Sequence, residues 1–147
     1  MLFGPKVIEV EAPPMSGGAN EPFLRAGRNL KIAYRASSDM LEEKWIVAYF
    51  DTFTKFCFGH PNEEVLHGHS LYSKGLRFYS VHEVLDSPWI KEIEKVNSVH
   101  SRHSKELFED ERHWIFTFQD ETLEVVSTKA PVFSVIDANS ADDALQK

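Results

Sequence analysis

The chain has 147 residues, 42% of them hydrophobic, enough for the core of one domain and too apolar for a disordered segment. Sixteen basic and 23 acidic residues give a net charge of −7, nearly all of it (−6) in residues 75–147. That balance disfavours nucleic acid and anionic membrane surfaces, both held through Lys and Arg, and a lone cysteine excludes an internal disulfide.

Residues 7–11 (VIEVE) form a candidate first strand, and residues 12–22, with three Pro and two Gly, a loop. From Arg28 to Arg35 the pattern alternates: Leu30, Ile32 and Tyr34 point one way, Lys31, Ala33 and Arg35 the other. That period of two predicts a half-buried strand. Ser37-Ser38-Asp39 followed by Glu42 has the form of a capping box opening a short helical turn. Residues 45–58 (WIVAYFDTFTKFCF) fit a helical stripe through Trp45, Tyr49, Phe53 and Phe56. Their β-branched and aromatic density favours one long strand instead.

Residues 59–75 read as a loop or lid with one helical turn, and Leu76 to Leu85 as a strand with Leu76, Phe78, Ser80, His82 and Val84 on one face. Asp86-Ser87-Pro88 is an N-cap signal with Pro at the first helical position. Trp89, Ile93, Val96 and His100 then follow at spacings of four, three and four, one stripe of a helix over about 88–100. His113–Phe118 and Thr122–Thr128 flank a polar turn and predict a β-hairpin, and 132–136 (VFSVI) a short edge strand. The order implies an α+β fold: one antiparallel sheet of about five to seven strands with one main helix on a face. A single domain is expected over 1–138, with a flexible tail at 139–147.

Seven histidines are many for this length. His67 and His69 flank a glycine, a spacing that on extended chain turns both rings to one side. With His82 they make a candidate site for a transition metal, to which Glu63 or Glu64 could add a carboxylate. His-x-His occurs in metal-binding β-barrels such as cupins, but Ser73 and Lys74 stand where a cupin would place its Glu. A polar loop whose imidazoles hydrogen-bond the backbone is the competing reading.

His100, Arg102 and His103 form a second polar cluster at the helix end. They are candidate acid–base or anion-binding groups, or simply cations favoured by the helix's negative end. Cys57, between Phe56 and Phe58, reads as a small hydrophobe, and His113 as a strand-end residue. No Gly-x-Ser-x-Gly elbow, phosphate loop or dinucleotide fingerprint is present.

Glu106, Glu109, Asp110 and Glu111 crowd before the hairpin, and Asp120, Glu121 and Glu124 sit around its turn, a like-charge clustering that can raise a pKa for acid catalysis. Glu106, Glu109, Asp110, Glu111, Asp120 and Glu121 make a candidate acidic face for a basic protein partner.

The run FGHPNEEVLHGHSLYSKGLRFYSVHEVLDSPWI, then VNSVHSRH and HWIFTFQDETLEVV, resembles a group of small uncharacterised bacterial proteins with FGHPN…GH…GL, N-x-VH-x-RH and IFTF-x-D strings. The resemblance spans about residues 45–128 and brings no activity, cofactor or partner with it.

Two functions are therefore expected. The first is a small binding protein that docks a basic protein on its acidic face, in the manner of immunity proteins and antitoxins. The second is a small-molecule-binding protein or enzyme with a His-lined aromatic pocket. No apolar run reaches the length of a membrane span, and the N-terminus lacks a basic run followed by an apolar core, so a cytoplasmic protein is expected.

Overall fold

The computed structural model describes residues 4–37 and 44–147. Nine strands are present among them: β1 (Lys6–Glu9), β2 (Phe23–Ala26), β3 (Leu30–Arg35), β4 (Lys44–Phe50), β5 (Lys55–Gly59), β6 (Val81–Leu85), β7 (Arg112–Thr117), β8 (Thr122–Ser127) and β9 (Val132–Asp137). They build two antiparallel sheets, one ordered β1-β6-β7-β8-β5 and the other β2-β3-β4-β9. The α+β class holds, but the single sheet of five to seven strands becomes two sheets. No helix of the described residues is long and apolar enough to cross a membrane.

The split falls inside the segment expected as one strand over 45–58. Asp51–Thr54 break it, so that β4 pairs with β3 and β9 while β5 pairs with β8 in the other sheet. The crossing is pinned where Thr54 N–H donates to Val126 O at 2.7 Å and Ser127 Oγ donates to Thr52 O at 2.6 Å. Periodicity cannot show this, because both halves are apolar enough to be strands in either sheet.

The two sheets face each other across one core. Leu30, Ile32 and Tyr34 from β3 and Ile46, Ala48 and Phe50 from β4 meet Trp114, Phe116, Leu123 and Val125 from β7 and β8. Ala33, expected to face solvent, is also buried. It joins Trp45 and Val47 on the outer side of the smaller sheet, beneath α2 (Ala141–Leu145). Within residues 139–147, expected as a flexible tail, Ala141, Ala144 and Leu145 are buried, and Ser140 caps the helix by accepting from Asp143 N–H.

The outer face of the larger sheet is covered by the segment between β5 and β6 and by α1 (Pro88–Asn97). That segment holds two short 3₁₀ turns, Glu63–Gly68 and Tyr72–Lys74, which carry Leu66 and Leu71 against Val7, Val84 and Ile115. Gly75 lets it lie close: its φ is +133°, and a Cβ there would meet Val7 O at 2.3 Å. The strand expected from Leu76 starts only at Val81, after Tyr79 turns the chain at φ 52°.

Ser87 and Pro88 open α1 as expected, Ser87 Oγ accepting from Ile90 N–H at 3.2 Å. The helix ends at Asn97 rather than near residue 100, and no residue in it is fully buried. Val96, on the expected core stripe, is 68% exposed. The capping box at Ser37–Glu42 lies largely outside the described residues.

Candidate functional site

Strand register places a polar row across the outer face of the larger sheet. His82 opposes Ile115, Ile115 opposes Glu124, and Glu124 opposes Cys57, so all four share one face. The next row runs Val84, His113, Val126, Lys55. Glu124 is thus a diagonal neighbour of His113. The 3₁₀ turn at Glu63–Gly68 ends so that His69, the residue following it, lies over the same carboxylate.

These residues form a continuous chain of hydrogen bonds. Nε2 of His113 lies 2.7 Å from Glu124 Oε1, and Nε2 of His69 lies 2.8 Å from Oε2. Leu71 N–H donates to His69 Nδ1 at 3.0 Å, which fixes the His69 proton on Nε2, facing the carboxylate. Ser87 Oγ lies 2.7 Å from His113 Nδ1 and already accepts from Ile90 N–H, so its hydroxyl proton is free to donate to the ring. With one proton on each imidazole and none on Glu124, every one of these bonds has a donor and an acceptor. Burial alone would raise the Glu124 carboxyl, but the hydrogen bonds from His113 and His69 outweigh it and hold it at about 2.

Beside this chain opens a groove of about 440 Å³, lined by Lys55, Cys57, His113 and Glu124 of the sheet, by His69 from the connection above it and by Trp89 of α1. The Trp89 ring stands edge-on to His113 with centroids 5.1 Å apart, and Lys55 Nζ sits 5.9 Å from the Trp89 centroid. The Cys57 thiol is exposed here, not the buried hydrophobe its Phe neighbours suggest.

The candidate metal set is not brought together. His67 is exposed, and only His69 reaches the sheet, because the chain at 63–68 is a 3₁₀ turn and not the extended segment the His-Gly-His reading assumed. His82 is fully buried with both nitrogens engaged: Arg77 N–H donates to Nε2 at 3.0 Å, and Nδ1 lies 3.1 Å from Ile115 O. Burial lowers its pKa, as expected of a neutral ring between two backbone groups. His69 keeps no free lone pair while Leu71 occupies Nδ1. Among the described residues, no group of three His, Cys, Asp or Glu side chains is arranged to hold a metal ion.

His100, Arg102 and His103 lie in the turn after α1 and do not line the groove. Arg102 N–H donates to His100 Nδ1 at 3.0 Å, while His103 packs on Phe108 and lies 2.9 Å from Asn97 Nδ2. The acidic residues part into two groups. Glu106, Glu109, Asp110 and Glu111 precede β7, whereas Asp120 and Glu121 follow it, so a six-residue strand of about 20 Å separates them.

His113, Ser87 and Cys57 are not site residues in the sequence reading, and Glu124 enters it only as one of the carboxylates around the hairpin turn. One signal was present: Glu124 interrupts the apolar run Leu123–Val126 at the centre of a strand buried on both sides. Comparison of the chain with protein-family models, with curated proteins and with solved structures finds no match.

Proposed function

We propose that the protein binds a small organic molecule in the groove beside Glu124, through a hydrogen-bond donor on the ligand and an apolar face against Trp89 and Leu71. The carrying observation is a carboxylate clamped by two imidazoles at the floor of a 440 Å³ groove. Each Glu124 oxygen accepts one bond from protein and keeps a second lone pair for a ligand N–H or O–H. The same accounting favours binding over turnover. No ring nitrogen in the cluster can take a proton from a substrate without surrendering the bond it already makes. The reading also draws more support than an acidic docking face, whose carboxylates lie at opposite ends of β7.

The test is a screen of small aromatic fragments against labelled protein, comparing compounds that carry an N–H or O–H donor with their N- or O-methylated counterparts. Donor-bearing compounds should shift the Leu71 amide and the Trp89 indole, and Glu124→Gln should weaken them. Hits that ignore both methylation and Glu124→Gln, or no hits at the groove, would discard the reading.

A further inference from the structure

Four strands end the two sheets, and three carry features that blunt an open edge. β1 is four residues long and holds Lys6 and Glu9, β2 is four residues long and holds Arg25, and β5 holds Lys55. β9 is six residues long and runs Val132-Phe133-Ser134-Val135-Ile136 before its first charge, Asp137. It pairs with β4 on one side, and among the described residues no strand pairs with its other side. Val132 is 62% and Val135 39% exposed there.

We infer that β9 pairs antiparallel with β9 of a second copy of this chain, joining the two four-stranded sheets into one of eight strands. The sequence of the strand selects that occupant. Phe133 packs into the core between the sheets and Ile136 against the α2 cluster, so odd-numbered residues face the inner layer and even-numbered residues the outer one. A two-fold axis through Ser134, perpendicular to the sheet, keeps both layers continuous. It sets Ser134 against its counterpart, Phe133 against Val135, and Val132 against Ile136. Every cross-strand pair flanking the axis is therefore aromatic or β-branched, the kind that stabilises antiparallel sheets. Asp137, already paired with Lys44 at 2.7 Å, falls opposite Pro131, so no like charges meet. Such an interface is self-complementary and closes at two copies.

Light scattering on the full chain, from micromolar to near-millimolar concentration, reads the outcome. The mass should rise from 16.9 kDa toward twice that value. Ser134 is exposed, so Ser134→Lys and Ser134→Glu leave the fold intact while setting like charges against each other at the axis. Each variant alone should stay monomeric at concentrations where the parent chain is dimeric, and an equimolar mixture of the two should recover the dimer. A monomer at every concentration overturns the proposal. So does a dimer of unchanged strength in either variant, which would place the contact on another surface.

Discussion

A carboxylate in the middle of a doubly covered strand persists only when its charge is satisfied from within the protein, and Glu124 meets that condition through His69 and His113. The arrangement gives a pH dependence of defined sign. An unfolded Glu titrates near 4.5 and the folded one near 2, so the unfolded chain binds the proton more readily. The stability drawn from this ionisation is complete above pH 4.5 and drains as the pH falls toward 2. His82 acts in the same direction at higher pH. Burial lowers its pKa below the ordinary 6.5, so its unfolded form also takes a proton first, and stability begins to fall below about that pH. Glu124→Gln should cost on the order of 2–3 kcal/mol at neutral pH. In urea titrations at fixed ionic strength, its gap from the parent chain should narrow between pH 4.5 and 2. A gap constant across that range would refute the clamp.

None of the residues of α1 is fully buried, so its own sequence says little about how the helix is attached. It is held by Ser87, 5% exposed, which caps the helix and also donates to the His113 ring, and by Trp89 against the same ring. Ser104 offers an internal comparison: it caps the 3₁₀ turn Lys105–Phe108 by accepting from Glu106 N–H but touches no buried ring. Losing a cap costs about 1 kcal/mol, and leaving a buried ring nitrogen without its donor about 1–3 kcal/mol more. Ser87→Ala should therefore destabilise by about 2–4 kcal/mol and Ser104→Ala by about 1 kcal/mol or less, measured by denaturant unfolding. Equal losses would show that Ser87 is a helix cap alone.

This also explains what the sequence could convey. Ser87-Pro88 states a helix start through local chemistry, the alternation in β3 states a strand, and the polar turn between two apolar runs states the hairpin of β7 and β8. The sheet to which β4 or β5 belongs, and the burial of α2, depend on partners distant in the chain. The site is assembled the same way: His69, Ser87, His113 and Glu124 come from four separate segments. Only strand register and a 3₁₀ turn make them neighbours, and neither is encoded in spacing along the chain.

Across the whole molecule, the two sheets are joined by one aromatic layer. Phe116 from the larger sheet meets Tyr34 at 6.2 Å, Phe50 at 6.2 Å and Phe133 at 6.3 Å, all from the smaller one. Phe116→Ala should then cost about 3–5 kcal/mol, because the layer cannot close over the lost ring. It should lower hydrogen-exchange protection of β3 and β8 amides together, since neither sheet keeps a covered inner face without the other. Tyr34 in the same layer makes the opposite case. Its hydroxyl is buried with no partner among the described residues, and burial raises its pKa above the ordinary range. Removing that oxygen sheds an uncompensated polar group while keeping the ring contacts, so Tyr34→Phe should raise stability by about 1 kcal/mol. If Phe116→Ala instead loosened only the larger sheet, each sheet would be its own cooperative unit. The groove on the outer face would then open without disturbing the core behind it.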